Sequence, residues 1–215
     1  MAELDRRSAL RLLGGAPLAV GFGLSAATVQ TAHAQATKAV AAAARGQAFK
    51  PRFFTPHEWQ TVRVLADLII PRDARSGGAN DAGVPEFMDF VMLDPVEEAR
   101  TREWRQTTMR GGLAWLDQEC RDRFGKDFLS AAENERTQVL DDIAYRTKEG
   151  APRVDRPELR AGQSFFEWFR DLTSSGFWSS KMGVDDLGYV GNQPFLWNGP
   201  PAEVLKKLGL DGGQA

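Results

Sequence analysis

Apolar residues follow three different patterns along this chain. Near the N-terminus they form a block: from Leu12 to Leu24 no charge interrupts a run rich in Leu, Ala and Gly. From Phe54 to about Ser175 they recur every three or four positions, the period of a helix with one buried face. From Gly176 to Pro201 the period is lost, and large rings alternate with glycine and proline.

The periodic region divides into helices by its capping residues. Thr55-Pro56-His57-Glu58 is a capping box with proline at the first helical position, and Phe54 with Trp59 forms a hydrophobic staple. The helix this starts puts Trp59, Val62, Leu65, Ala66 and Ile69 on one face and stops at Pro71. A polar, Gly-rich loop follows over 71–84. A short helix is predicted from Pro85 to Leu93, with Phe87, Phe90 and Val91 inward. Asp94-Pro95-Val96-Glu97 repeats the capping logic for a helix that carries Trp104, Leu113, Trp115 and Leu116 and ends near Gly125. Gly111-Gly112 predicts a weak or kinked middle, at about 1 kcal/mol per glycine. Ser130-Ala131-Ala132-Glu133 caps a helix bearing Val139, Leu140, Ile143 and Ala144. After a linker over 149–157, a last long helix from about Glu158 to Ser175 aligns Phe165, Phe166, Phe169 and Leu172, with Gly176 as its stop. No alternating strand pattern is present. The expectation is an all-α fold: a single compact domain of about five helices with an extended aromatic, Gly-rich C-terminal arm.

The N-terminal block reads as an export signal. Arg6-Arg7 precedes it, and the small-x-small sequence Ala32-His33-Ala34 follows it. The paired arginines, with Gly14, Gly15, Pro17, Gly21 and Gly23 keeping the block only moderately apolar, indicate a twin-arginine (Tat) signal. Asp5 and Ala9 stand where such signals usually carry Ser or Thr and an aromatic. The expected organisation is a signal over 1–34 cut after Ala34, with a retained N-terminal anchor as the alternative, a mobile Ala-rich leader over 35–52, a helical domain over 53–175, and an arm with a short terminal helix over 176–215.

Composition narrows the chemistry. The chain of 215 residues has 27 Lys+Arg against 29 Asp+Glu, so no basic excess exists to neutralise a nucleic acid backbone. One cysteine and two histidines leave little for Cys-ligated clusters or zinc sites. His57 lies at a helix N-terminus and reads as a surface or capping histidine ahead of a catalytic base. Cys120 has no recognisable activating partner. The loop residues Asp73, Asn80 and Asp81 offer oxygen ligands without the alternating spacing of a calcium loop. Asp141 and Asp142 diverge on a helix, and Asp185-Asp186 suits backbone capping. No catalytic, cofactor-binding or metal residue is expected in this chain.

The arm is the best functional feature. Phe177, Trp178, Tyr189, Asn192, Phe195 and Trp197 are the candidate partner interface, since so many large rings in an extended Gly/Pro-rich segment suit docking. Wrapping of the arm over its own helices would bury the same rings.

Several blocks together resemble a known family. They are Phe54-Thr55-Pro56 leading to Leu68-Ile69-Ile70-Pro71-Arg72-Asp73; Ala82-Gly83-Val84 with Phe87 and Asp89; Phe165-Phe166, Leu172-Thr173, Gly176-Phe177, Ser180 and Gly183; and Leu187-Gly188-Tyr189-Val190-Gly191-Asn192. With the twin arginines, the chain resembles the gluconate 2-dehydrogenase subunit 3 family over roughly Phe53 to Trp197. The resemblance implies a small subunit that partners a large FAD-containing GMC-type dehydrogenase acting on sugars, polyols or sugar acids. Electrons would pass to a membrane-bound cytochrome c subunit carrying haem c. It implies a periplasmic, non-catalytic subunit that engages the Tat translocase for the complex and meets the membrane through it. A periplasmic binding or scaffold module for another partner is the alternative.

Overall fold

The computed structural model describes residues 24–95, 97–144, 156–188 and 199–209. Eight α-helices and one short 3-10 turn are found among the described residues, with no strand. The helices are α1 (Ala26–Ala43), α2 (Pro56–Ile69), α3 (Val84–Met92), α4 (Ala99–Phe124), α5 (Glu133–Ala144), α6 (Arg160–Trp178), α7 (Lys181–Leu187) and α8 (Ala202–Lys207). The all-α expectation holds. No helix among the described residues is long and apolar enough to cross a membrane.

Helix α6 is the centre of the packing. It touches α2, α3, α4, α5 and α7, while α1 lies along α3 on the outside. The buried face of α6 carries Phe165, Phe166, Phe169, Leu172 and Phe177, the spacing its sequence predicted plus one more turn.

The crossing of α4 and α6 depends on two glycines. A Cβ on Gly112 would sit 1.8 Å from the Phe165 ring, and one on Gly162 would sit 2.4 Å from the Trp115 ring. Each helix thus receives the other's aromatic ring where it has no side chain. This explains why α4 runs unbroken through Gly111-Gly112 instead of kinking there. Burial of Phe165 offsets the helix-propensity loss, which is the usual outcome when packing and propensity conflict.

Polar groups fix the first half of the fold. The Thr55 capping box forms as expected, the Glu58 amide donating to Thr55 Oγ1 at 3.3 Å and the Thr55 amide to Glu58 Oε2 at 2.8 Å. Asp89, wholly buried on α3, accepts the backbone amides of Arg52, Phe53 and Phe54 at 3.0, 2.9 and 3.3 Å. Arg110 of α4 covers the same segment. It donates to the Phe53 carbonyl at 3.0 Å, and its guanidinium lies 4.6 Å from the Phe53 ring centroid.

Four local expectations are corrected. The Ala-rich leader is not a mobile segment: residues 26–43 form α1, capped by Ser25 and packed on α3 through Val29, Ala32 and Ala36. Asp94 does not cap α4. It accepts from Thr28 Oγ1 at 2.6 Å, while Arg102 of α4 donates to the carbonyls of Asp94 and Glu97. The Ser130 box is displaced, since α5 starts at Glu133 and Glu135 accepts the Ala132 amide at 2.7 Å. Gly176 does not stop α6. It lies within the helix, where a Cβ would be 2.9 Å from Phe87, so it permits close contact with α3.

The α4 glycines give opposite predictions. Gly111→Ala meets open space on a helical backbone and should raise stability by about 0.5–1 kcal/mol. Gly112→Ala drives a methyl into the Phe165 ring and should lower it by about 2 kcal/mol. Urea unfolding of the two single variants checks the difference.

Candidate partner-binding surface

The residues singled out for chemistry turn out to hold the fold together. His57 Nε2 lies 2.6 Å from Asp117 Oδ2, and Asp117 Oδ1 accepts the Phe128 amide at 3.0 Å. One carboxylate therefore ties the start of α2 to α4 and to the turn before α5. Cys120 is buried on α4, and burial, reinforced by the Asp117 charge, pushes its thiol up to about 11. It stays protonated and unreactive at neutral pH.

The carboxylates of the acidic loop are satisfied within the fold, while the Asn80 side-chain oxygen is buried without a partner. Asp73 accepts the amides of Ser76 and Arg75, which hold its carboxyl below the usual range. Asp81 pairs with Arg72 at 2.6 Å and accepts the Gly78 amide, while Asn80 donates to Asp67. Arg75 donates to the Asp186 carbonyl, tying the loop to α7. No group of three His, Cys, Asp or Glu side chains among the described residues is arranged to hold a metal ion.

The predicted arm interface is redistributed. Phe177 is 1% exposed and belongs to the core, with Trp178 half-buried beside it and the ring centroids 5.0 Å apart. The stretch after Gly176 is not extended as far as it is described. Ser180 caps α7 by accepting the Gly183 amide, and Gly188 ends it at φ 65°. Gly183 is required there, since a Cβ would meet the Phe177 carbonyl oxygen at 2.1 Å. Tyr189, Asn192, Phe195 and Trp197 lie outside the described residues.

Exposed rings gather elsewhere. Trp104 on α4 is 55% exposed and meets Trp168 of α6 edge to face, with centroids 6.0 Å apart. With Trp115 and Phe165 they wall a groove of about 420 Å³, floored by Thr108, Gly111 and Gly112. The α4–α6 glycine crossing sets this groove, because side chains at Gly111 or Gly112 would fill it. The sequence put Trp104 and Trp115 on one helix without pairing them with Trp168, which lies more than fifty positions further on. A second cleft of about 630 Å³ opens between the end of α1, the 75–82 loop and α7, bordered by Arg75, Lys181 and Asp186.

Helices α2 to α7 and the segment beyond them match the profile of one family, described as gluconate 2-dehydrogenase subunit 3, over residues 56–199. The chain belongs to the gluconate 2-dehydrogenase subunit 3 family. Membership places it among subunits of gluconate dehydrogenase complexes. Comparison with curated proteins and with solved structures finds no match. The matched span takes in both walls of the tryptophan groove and begins after α1.

His33 is a titratable residue of α1 that contacts the family region. The His33 ring stacks on Phe87 at 4.6 Å between centroids, and Nε2 lies 2.7 Å from Ser179 Oγ. Burial lowers its pKa from 6.5 to about 4. The folded state thus holds the neutral ring while the unfolded chain takes up a proton. The stability this gives is complete above pH 6.5 and is lost as pH falls from 6.5 towards 4.

These contacts can be checked by substitution. His33→Gln should flatten the fall in stability between pH 6.5 and 4, removing a pH-dependent contribution on the order of 2 kcal/mol; urea midpoints across that range check it. Asp89→Ala leaves buried amides without an acceptor and should lower stability by about 3 kcal/mol. Asp89→Asn, which keeps one acceptor oxygen, should lose less in the same assay.

Proposed function

We propose that this chain is the small, non-catalytic subunit of a periplasmic flavoprotein dehydrogenase, and that it carries the large subunit through the Tat pathway. The observation that carries the reading is the family match over residues 56–199. The Arg6-Arg7 pair before an uncharged apolar block adds the export role. In this reading FAD resides in a GMC-type large subunit that oxidises a sugar, polyol or sugar acid. Haem c resides in a cytochrome subunit that receives the electrons, and the complex meets the membrane through it.

The division of labour has a physical basis. Tat translocation moves folded cargo, and a flavoprotein must fold around its cofactor before export. A subunit with a compact core and an exported N-terminus can supply the address for a partner that has none. Among the described residues, the Trp104–Trp168 groove is the surface best suited to that partner. It offers large, partly exposed rings over a floor of small residues, the composition of interface anchors.

Two outcomes test the reading. Replacing the Arg6-Arg7 pair by two lysines should leave the large subunit in the cytoplasm; its normal appearance in the periplasm refutes the escort role. Trp104→Ala with Trp168→Ala should weaken the complex by about 2–4 kcal/mol without loss of helical circular dichroism. Co-purification of a yellow, FAD-bearing partner supports the dehydrogenase reading, and a colourless partner supports a scaffold for another protein.

A further inference from the structure

The sequence Ala32-His33-Ala34 has the small-x-small form of a signal peptidase site, yet it lies in the middle of α1. A peptidase of this kind takes its substrate as an extended strand, with the two small side chains on the same side. In a helix, positions 32 and 34 point about 200° apart. The structure uses that divergence. Ala32 is 3% exposed and faces α3, whereas Ala34 faces solvent.

Contacts on both sides of the site hold it in the helical form. Upstream, Ser25 caps the helix by accepting the Thr28 amide at 3.0 Å, and Thr28 Oγ1 donates to the buried Asp94 at 2.6 Å. At the site itself His33 is stacked on Phe87 and bonded to Ser179. Downstream, Ala36 is 1% exposed, and Val40 lies so close to Gly83 that a Cβ there would be 2.8 Å from it. Extending residues 32–35 requires His33 to leave Phe87 and Ser179, and Ala32 and Ala36 to leave the core.

We propose that α1 is a permanent element of the folded domain that shields the bond between Ala34 and Gln35, so the exported chain keeps its N-terminal segment joined to the fold. The N-terminal apolar block then continues directly into a docked helix. An uncut chain would stay tethered at the membrane surface by that block, independently of any other subunit. This consequence rests on the export reading; the shielding rests on the α1 contacts alone.

The test has two parts. The full chain recovered from the exported fraction of its own cells should show, by intact mass, residues upstream of Ala34 still attached; a product beginning at or after Gln35 overturns the proposal. Separately, the purified full chain is incubated with signal peptidase in detergent micelles. The wild-type chain should remain joined, while Val29→Asp, which places a charge under α1 and leaves the rest of the core intact, should be cut after Ala34 at least tenfold faster. The urea-unfolded chain should be cut as well. Equal cutting of wild type and Val29→Asp, or an unfolded chain left intact, overturns it. Failure of the export reading shows up differently, as a lysine pair in place of Arg6-Arg7 having no effect on location, and leaves the micelle comparison decisive.

Discussion

Two rings seated where two helices lack side chains decide the architecture. Phe165 of α6 lies against Gly112 of α4, and Trp115 of α4 lies against Gly162 of α6. This reciprocal seating brings the two longest helices of the family-matched region together, so that α6 can reach α2, α3, α5 and α7 at once. It also leaves a trough beside the crossing, because the residues that allow close approach are too small to fill the space next to it. The core and the exposed aromatic groove are therefore products of one packing solution. A change that improves the propensity of α4 at Gly112 would damage both.

A second layer of organisation is polar. Asp89 gathers three successive amides from the segment before α2, and Asp117 joins His57 of α2 to the turn before α5. Both carboxylates are buried, where an acceptor without donors would be strongly unfavourable. Each is surrounded by donors that exist only when separate parts of the chain have met. Such groups specify one arrangement of the helices more sharply than apolar contacts, which tolerate sliding. The single histidine of the family-matched region is thus explained by topology, with no appeal to reactivity.

The sequence is legible where structure is decided locally. The Thr55 box and the aromatic stripe of α6 follow from rules that act within one or two turns, and both stand where those rules put them. What escapes such rules is settled at a distance. Gly112 and Gly176 look like breaks until the ring opposite each is known. Helix α1 buries mostly alanine, threonine and valine, so its inward face is too weakly apolar to stand out against the residues around it. Asp94 has every local mark of a cap, and only the presence of Thr28, 66 positions away, assigns it elsewhere. The family resemblance holds regardless, because its motifs include residues in such distant contacts: Asp89 and Gly176 both belong to them.

The bond between His33 and Ser179 spans 146 positions. In a growing chain, residue 179 is made long after residue 33, so the N-terminal helix has no complete seat until synthesis is almost finished. The other partners of α1, from Gly83 to Asp94, are made far earlier, so the His33–Ser179 bond is the last of these contacts to become available.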